Sequence, residues 1–124
     1  MRHDLLSDAM SIITNSENIG KTYCIVPRSD LVRNILLVAE KDGFLGGIEL
    51  EEKTIRVELL GRINKAGSIR PRFSVRKNEY EKFEKRFLPS RDLGLLFIST
   101  PKGVMSHTEA KQANLGGKLL AYIY

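Results

Sequence analysis

Histidine, cysteine and carboxylate side chains perform catalysis only where partner groups converge on them, and this chain has two histidines, one cysteine and scattered carboxylates. His107 and Glu109 lie two residues apart at the start of a predicted helix, a spacing that turns them to different faces. Glu109 also has capping-box spacing from Ser106, which accounts for it without catalysis. His3 beside Asp4 supplies too few ligands for a metal, and Asp4 serves better as a helix cap. The pairs Gly46-Gly47 and Gly116-Gly117 lack the Lys-Ser/Thr or third glycine of a phosphate-cradling loop and read as turns. No catalytic residue, no metal site and no cofactor is predicted.

Two segments carry binding chemistry instead. In Ser99-Thr100-Pro101-Lys102-Gly103-Val104-Met105, the hydroxyls of Ser99 and Thr100 donate and accept without a fixed charge, Lys102 can meet a phosphate, and Gly103 lets a backbone come close. The stretch from Gly61 to Phe73 places Arg62, Asn64, Lys65, Arg70 and Arg72 in one run with an aromatic at its end. Basic side chains and an amide suit a phosphate backbone, whereas Phe73 either stacks on a base or belongs to the core.

The 124 residues are 42% hydrophobic, enough for a real core in one domain or two small ones. Twenty Lys+Arg against 15 Asp+Glu leave a net charge of +5, favouring a polyanionic partner. From Arg62 to Arg91 ten basic residues meet only Glu79, Glu81 and Glu84, while Glu49, Glu51, Glu52 and Glu58 cluster upstream. This asymmetry points to a binding face rather than a uniformly basic surface. With Cys24 alone, no internal disulfide or cysteine zinc cluster forms, which fits a reducing compartment, and Cys24 reads as a small buried hydrophobe. Met1-Arg2-His3-Asp4 has no apolar signal core and no apolar run spans a bilayer, so a soluble intracellular protein with no membrane partner is expected.

The elements that must position these residues follow from periodicity and caps. Asp4 caps a helix with Leu5, Leu6, Ala9, Met10, Ile12 and Ile13 at helical spacing, broken by 15–20. Residues 22–26 read as a strand ending at Pro27, and Ser29 or Asp30 caps a second helix through Val32, Ile35, Leu36 and Ala39 to Gly43. A hairpin follows over 48–51 and 54–59, and the change in composition at 61–67 marks a boundary between two modules, 1–62 and 63–124. In the second module, 71–76 predicts a strand, Asn78 caps a short helix with Tyr80, Phe83 and Phe87, and 94–98 predicts a buried strand. Ser106 opens another short helix, which Gly116-Gly117 stops before a terminal strand, 118–124. The expected class is α+β: an N-terminal helix-strand-helix-hairpin module and a mostly β C-terminal module with short helices.

Over nearly its whole length the chain resembles the universal small-subunit ribosomal protein S-eight family in its archaeal and eukaryotic form. The resemblance rests, in order, on Asp4-Leu5-Leu6-Ser7-Asp8-Ala9, the 61–73 stretch, Leu88-Pro89-Ser90-Arg91, the 99–105 turn and Gly116-Gly117-Lys118. It implies a two-domain protein that binds the central domain of small-subunit rRNA, aids its assembly, neighbours other small-subunit ribosomal proteins and performs no catalysis. In the family a Ser-Thr-Ser-x-Gly turn inserts into an irregular RNA helix, which maps here onto Ser99, Thr100, Pro101, Lys102 and Gly103. Pro101 departs from that pattern and removes one hydroxyl. Lys118, where bacterial relatives tend to carry an acidic residue, agrees with the archaeal or eukaryotic branch.

The RNA-binding residues expected are thus Ser99, Thr100, Lys102, Gly103, Arg62, Asn64, Lys65, Arg70, Arg72 and Lys118, in a protein expected to be monomeric when free. Duplex RNA hides its base edges in a deep groove, so a compact hydroxyl-bearing turn suits a distorted or unpaired element. The rival readings are a non-ribosomal RNA-binding module or translational regulator, and a small enzyme with an unrecognised site.

Overall fold

The structure, a computed structural model, describes residues 4–90 and 93–124. His3, and Arg91 at the end of the basic run and of the Leu88–Arg91 match, lie outside the described residues. The elements in chain order are α1 (Leu5–Asn18), β1 (Tyr23–Pro27), α2 (Asp30–Lys41), β2 (Leu45–Leu50), β3 (Thr54–Leu59), β4 (Ala66–Ser68), β5 (Ser74–Val75), α3 (Tyr80–Phe87), β6 (Leu95–Thr100), β7 (Gly103–Ser106), α4 (His107–Gln112) and β8 (Gly117–Ile123). Helices and antiparallel sheets make this an α+β fold, and the chain divides into two compact units between Ala66 and Gly67.

In the first unit both helices start at side-chain caps. The Asp4 carboxylate accepts the Ser7 N–H at 3.2 Å, and the Ser29 hydroxyl accepts the Val32 N–H at 3.1 Å, so Ser29 and not Asp30 is the cap. The buried stripes Leu6, Ala9, Met10, Ile13 and Val32, Ile35, Leu36, Ala39 cover one face of a sheet ordered β1-β3-β2, whose inward residues include Cys24, Val26, Ile55 and Val57. Fully burying an aliphatic side chain of this kind contributes about 1.5–3 kcal/mol. A β-bulge at Gly46-Gly47 interrupts the pairing of β2 with β3 between Leu45 and Ile48. A Cβ on Gly46 would lie 2.8 Å from the Glu58 carboxyl carbon, so a larger residue there would make that side chain swing aside.

The basic stretch after β3 does not hang free. The Glu17 carboxylate accepts the N–H groups of Gly61 (3.3 Å) and Ile63 (3.2 Å), Ile63 is buried, and Thr14 Oγ1 exchanges two 3.0 Å bonds with the Ala66 backbone. These contacts tie 61–66 to the first unit. Regular structure stops with β3 at Leu59, just before the composition changes at Gly61, and the contacts divide after Ala66.

In the second unit the strand order is β4-β8-β6-β7, with β5 also paired to β8. Its core joins Ile69, Val75, Tyr80, Phe83, Leu88, Leu96, Ile98, Ala110 and Leu119. Several local readings change here. Only Ser74 and Val75 of 71–76 form a strand. Asn78 does not cap α3: Glu79 occupies the cap position, and its carboxylate reaches back to the Arg76 N–H at 3.0 Å, leaving α3 without a side-chain cap bond. The helix instead docks through buried Tyr80, whose hydroxyl donates to the Leu115 carbonyl at 2.6 Å. Val104 and Met105, read as the end of a turn, lie in β7.

The stop of α4 also differs. Asn114 takes the left-handed conformation, φ +56°, right after the helix, so Gly116-Gly117 does not end it. Those glycines serve strand packing: a Cβ on Gly116 would lie 2.5 Å from the Val75 carbonyl oxygen, and one on Gly117 would collide with the carbonyl of Ser99.

Candidate nucleic-acid interface

The turn that the sequence singles out is the end of a hairpin. Thr100 on β6 pairs with Gly103 on β7, leaving Pro101 and Lys102 as a two-residue tip, and Gly103 has φ +115°. The Thr100 hydroxyl donates to the Gly103 carbonyl at 2.8 Å and accepts the Lys102 N–H at 3.2 Å. At 8% exposure it is committed to closing the turn. Pro101 stands at the tip, where a hairpin loop needs no ladder N–H from it. Lys102 and Pro101 are both exposed.

Strand alternation puts Ser99 on the opposite face from Thr100, and there it is exposed. Directly across from it stand Val104 on β7 and Lys118 on β8, and Lys118 in turn faces Ser74 on β5. Ser74, Ser99 and Lys118 thus form an exposed row across three strands, beside the hairpin tip. The row depends on Gly117, which lets β8 approach the Ser99 carbonyl. Two residues either side of Ser74, Arg72 and Arg76 are exposed; Arg70 is exposed as well. The structure therefore brings Ser99 and Lys118 together, and Thr100, Lys102 and Gly103 into one turn.

Phe73 resolves to the core alternative. It is half-buried against the core cluster, its ring centroid lies 5.7 Å from that of Phe83, and the Arg86 guanidinium covers it at 4.8 Å.

Arg62, Asn64 and Lys65 belong to the first unit. Arg62 donates to the Gly43 carbonyl at 3.1 Å, while Asn64 and Lys65 present exposed side chains from the backbone that Glu17 anchors. Charge divides with the units. Through Ala66 the chain has nine Lys+Arg against ten Asp+Glu, net −1; from Gly67 it has eleven against five, net +6. A polyanion is drawn to the second unit.

Sequence reasoning missed one buried polar cluster. Glu84 on α3 is 5% exposed; the Lys111 ammonium of α4 ion-pairs with its Oε1, and His107 Nε2 lies 3.6 Å from the same oxygen. His107 Nδ1 accepts the buried Leu96 N–H at 3.0 Å. His107 thus answers to Glu84, and the group ties α3, α4 and β6 together. Among the described residues no set of three or more His, Cys, Asp or Glu side chains is placed to hold a metal, and no helix is long and apolar enough to cross a membrane.

Residues 4–124 match the family described as Ribosomal protein S8. The chain belongs to the ribosomal protein S8 family. It is 47% identical over 126 residues to the small ribosomal subunit protein uS8 of the archaeon Methanococcoides burtonii, covering 98% of this chain and 97% of that relative. The match takes in both units, so the family relationship applies to the first unit as well as to the hairpin. It is a family of ribosomal proteins and not of enzymes, which fits a histidine held by structural bonds.

Proposed function

We propose that this protein is a structural constituent of the small ribosomal subunit that binds the central domain of small-subunit rRNA directly and assists its assembly. The reading rests on family membership and on one physical observation: the exposed row of Ser74, Ser99 and Lys118 beside a hairpin tip, on a unit carrying a net +6. A neutral hydroxyl beside an ammonium on a rigid strand face offers a hydrogen bond and a phosphate contact in fixed register. Lys102, Lys118, Arg70 and Arg72 supply phosphate contacts, Ser99 and the Gly103 backbone meet the irregular part of the RNA, and Thr100 holds the turn in shape. Arg62, Asn64 and Lys65 add contacts from the first unit. The protein is cytoplasmic within the subunit, neighbours other small-subunit proteins, is monomeric when free, and works without catalysis or cofactor.

The test is a titration of the protein against a central-domain rRNA fragment and an arbitrary RNA duplex at matched salt, together with sedimentation of small subunits after a moderate salt wash. Tight binding to the fragment, weak binding to the duplex and retention on the subunit are expected. Equal affinity for both RNAs would overturn the rRNA assignment, and specific RNA binding with release from subunits would assign the chain to regulation instead.

A further inference from the structure

We propose that the free edge of β1 receives an extended segment of a partner protein, in which apolar residues alternate with Lys or Arg, as an added strand. The proposal goes beyond rRNA binding and does not rest on it.

Among the described residues β1 pairs with β3 alone and lies at the edge of its sheet. The phase of that ladder is fixed at both ends: the Thr22 carbonyl accepts the Leu59 N–H at 2.8 Å, and the Arg28 N–H donates to the Lys53 carbonyl at 3.1 Å. Even-numbered residues therefore bond to β3, and the N–H and C=O groups of Tyr23 and Ile25 turn outward. No protein group among the described residues pairs with them. Edges of this kind are ordinarily blunted by a charge, a bulge or a proline within the strand. Here Tyr23 and Ile25 are 44% and 48% exposed, the pairing with β3 is regular throughout, and the one proline, Pro27, closes the strand and leaves its own carbonyl available.

The surroundings on either side of the edge decide the occupant. Toward α1 runs a groove of about 640 Å³ lined by Ile12, Ser16, Lys21, Thr22, Cys24 and Ile25. On the helix-free face a depression of about 490 Å³ opens beside Tyr23, with Glu58 directly across from it and the Gly46-Gly47 bulge beyond. Arg56 lies over the Tyr23 ring at 3.9 Å and stands cross-strand from Glu49, so those two charges offset one another and Glu58 remains. A strand laid along β1 sends alternate side chains to the two sides. One set enters a mixed groove whose apolar wall is Ile12, Cys24 and Ile25 and whose one cation, Lys21, disfavours a basic side chain, and the other meets a carboxylate. Only a polypeptide offers donors and acceptors at the spacing of this edge, and the first unit's net −1 gives a polyanion no attraction. Four main-chain hydrogen bonds, to the N–H and C=O of Tyr23 and Ile25, and a fifth to the Pro27 carbonyl would hold the segment.

The probe is an acetylated nine-residue peptide alternating Val and Lys, with one alternating Val and Glu as control, read by amide hydrogen exchange of the full chain. In the free protein the Tyr23 and Ile25 amides should exchange fast and those of Cys24 and Val26 slowly. Millimolar Val/Lys peptide should protect Tyr23 and Ile25 about tenfold, the Val/Glu peptide much less, and Glu58→Gln should abolish the difference between the two. Ile25→Lys, at an exposed site, should remove protection while leaving affinity for the rRNA fragment unchanged, which separates this edge from the RNA surface. Absence of protection by the Val/Lys peptide overturns the proposal, as does equal protection by both peptides. Protection that rises with protein concentration alone would assign the edge to a second copy, and protection by an RNA duplex would assign it to nucleic acid; either result overturns the proposal too.

Discussion

Lys118 on β8 stands directly across from Ser99 on β6, both side chains exposed on one face of the second unit's sheet, so the Cβ atoms of such a pair lie about 5 Å apart. A cation and a neutral hydroxyl at that separation can engage a phosphate and a neighbouring base or sugar at once, and the strands fix their relative position.

Different consequences therefore follow from removing each. Lys118→Ala should weaken binding to matched and altered rRNA fragments alike and make the dependence of log affinity on log salt shallower by about one. Ser99→Ala should leave the salt slope alone and reduce discrimination against altered core bases. Salt-series titrations of both variants on both fragments check this. An unchanged slope in Lys118→Ala would mean that this ammonium does not meet phosphate.

Thr100 is expected to behave otherwise. Its hydroxyl joins the Gly103 carbonyl to the Lys102 N–H inside the turn, so Thr100→Ala removes two bonds and should lower stability by about 1–2 kcal/mol. Affinity and discrimination then fall together because the tip loosens, and Thr100→Ser should restore both. Denaturant unfolding beside RNA titration distinguishes this from direct base contact, which would cost discrimination at full stability.

What the sequence disclosed here was the part of the fold set by near neighbours. Asp4, Ser29 and Ser106 cap helices because the partner N–H lies three residues on, and apolar spacing located the helices and the hairpin. Gly116 and Gly117 read as a helix stop because their need is tertiary, a backbone approach to Val75 and Ser99 that no local pattern encodes. The hairpin was visible as a hydroxyl-rich turn, yet Ser99 facing out and Thr100 facing in depends on where β6 ends and β7 begins. Val104 and Met105 give no strand signal of their own. The Glu84, His107 and Lys111 cluster was illegible, since Glu84 sits on α3 and the other two on α4, and these helices come together only through the core.

That cluster has a definite energetic signature. Glu84 is buried and the Lys111 ammonium, 43% exposed on its side chain, neutralises it. Lys111→Ala should leave the buried Glu84 carboxylate without its ammonium partner and destabilise the second unit by about 1–3 kcal/mol, below the cost of a fully buried pair because water reaches the site. Adding Glu84→Gln to Lys111→Ala should recover most of that loss. Unfolding of the single and double variants measures it, and additive losses would show that the two groups do not compensate one another.

Alkaline pH should act on the first unit through Cys24. Burial pushes this thiol above its ordinary value near 9; Glu17 adds to that, while a hydrogen bond with Ser16 and the charge of Lys21 oppose it. The folded chain thus holds the proton after the unfolded chain has released it. Stability associated with the thiol is complete below about pH 9 and is lost as pH rises toward the raised value, at no more than about 1.4 kcal/mol per pH unit. Burial raises the Tyr80 phenol above 10 as well, so the second unit should follow the same course from about one pH unit higher. Cys24→Ala removes the first of these ionisations. Thermal unfolding followed from pH 7 to 10 should decline less steeply above pH 9 in Cys24→Ala than in the parent chain, and below pH 8 the two curves should run parallel, offset only by the lost packing of the sulfur. Curves parallel over the whole range would place the Cys24 ionisation at its ordinary value in the folded protein.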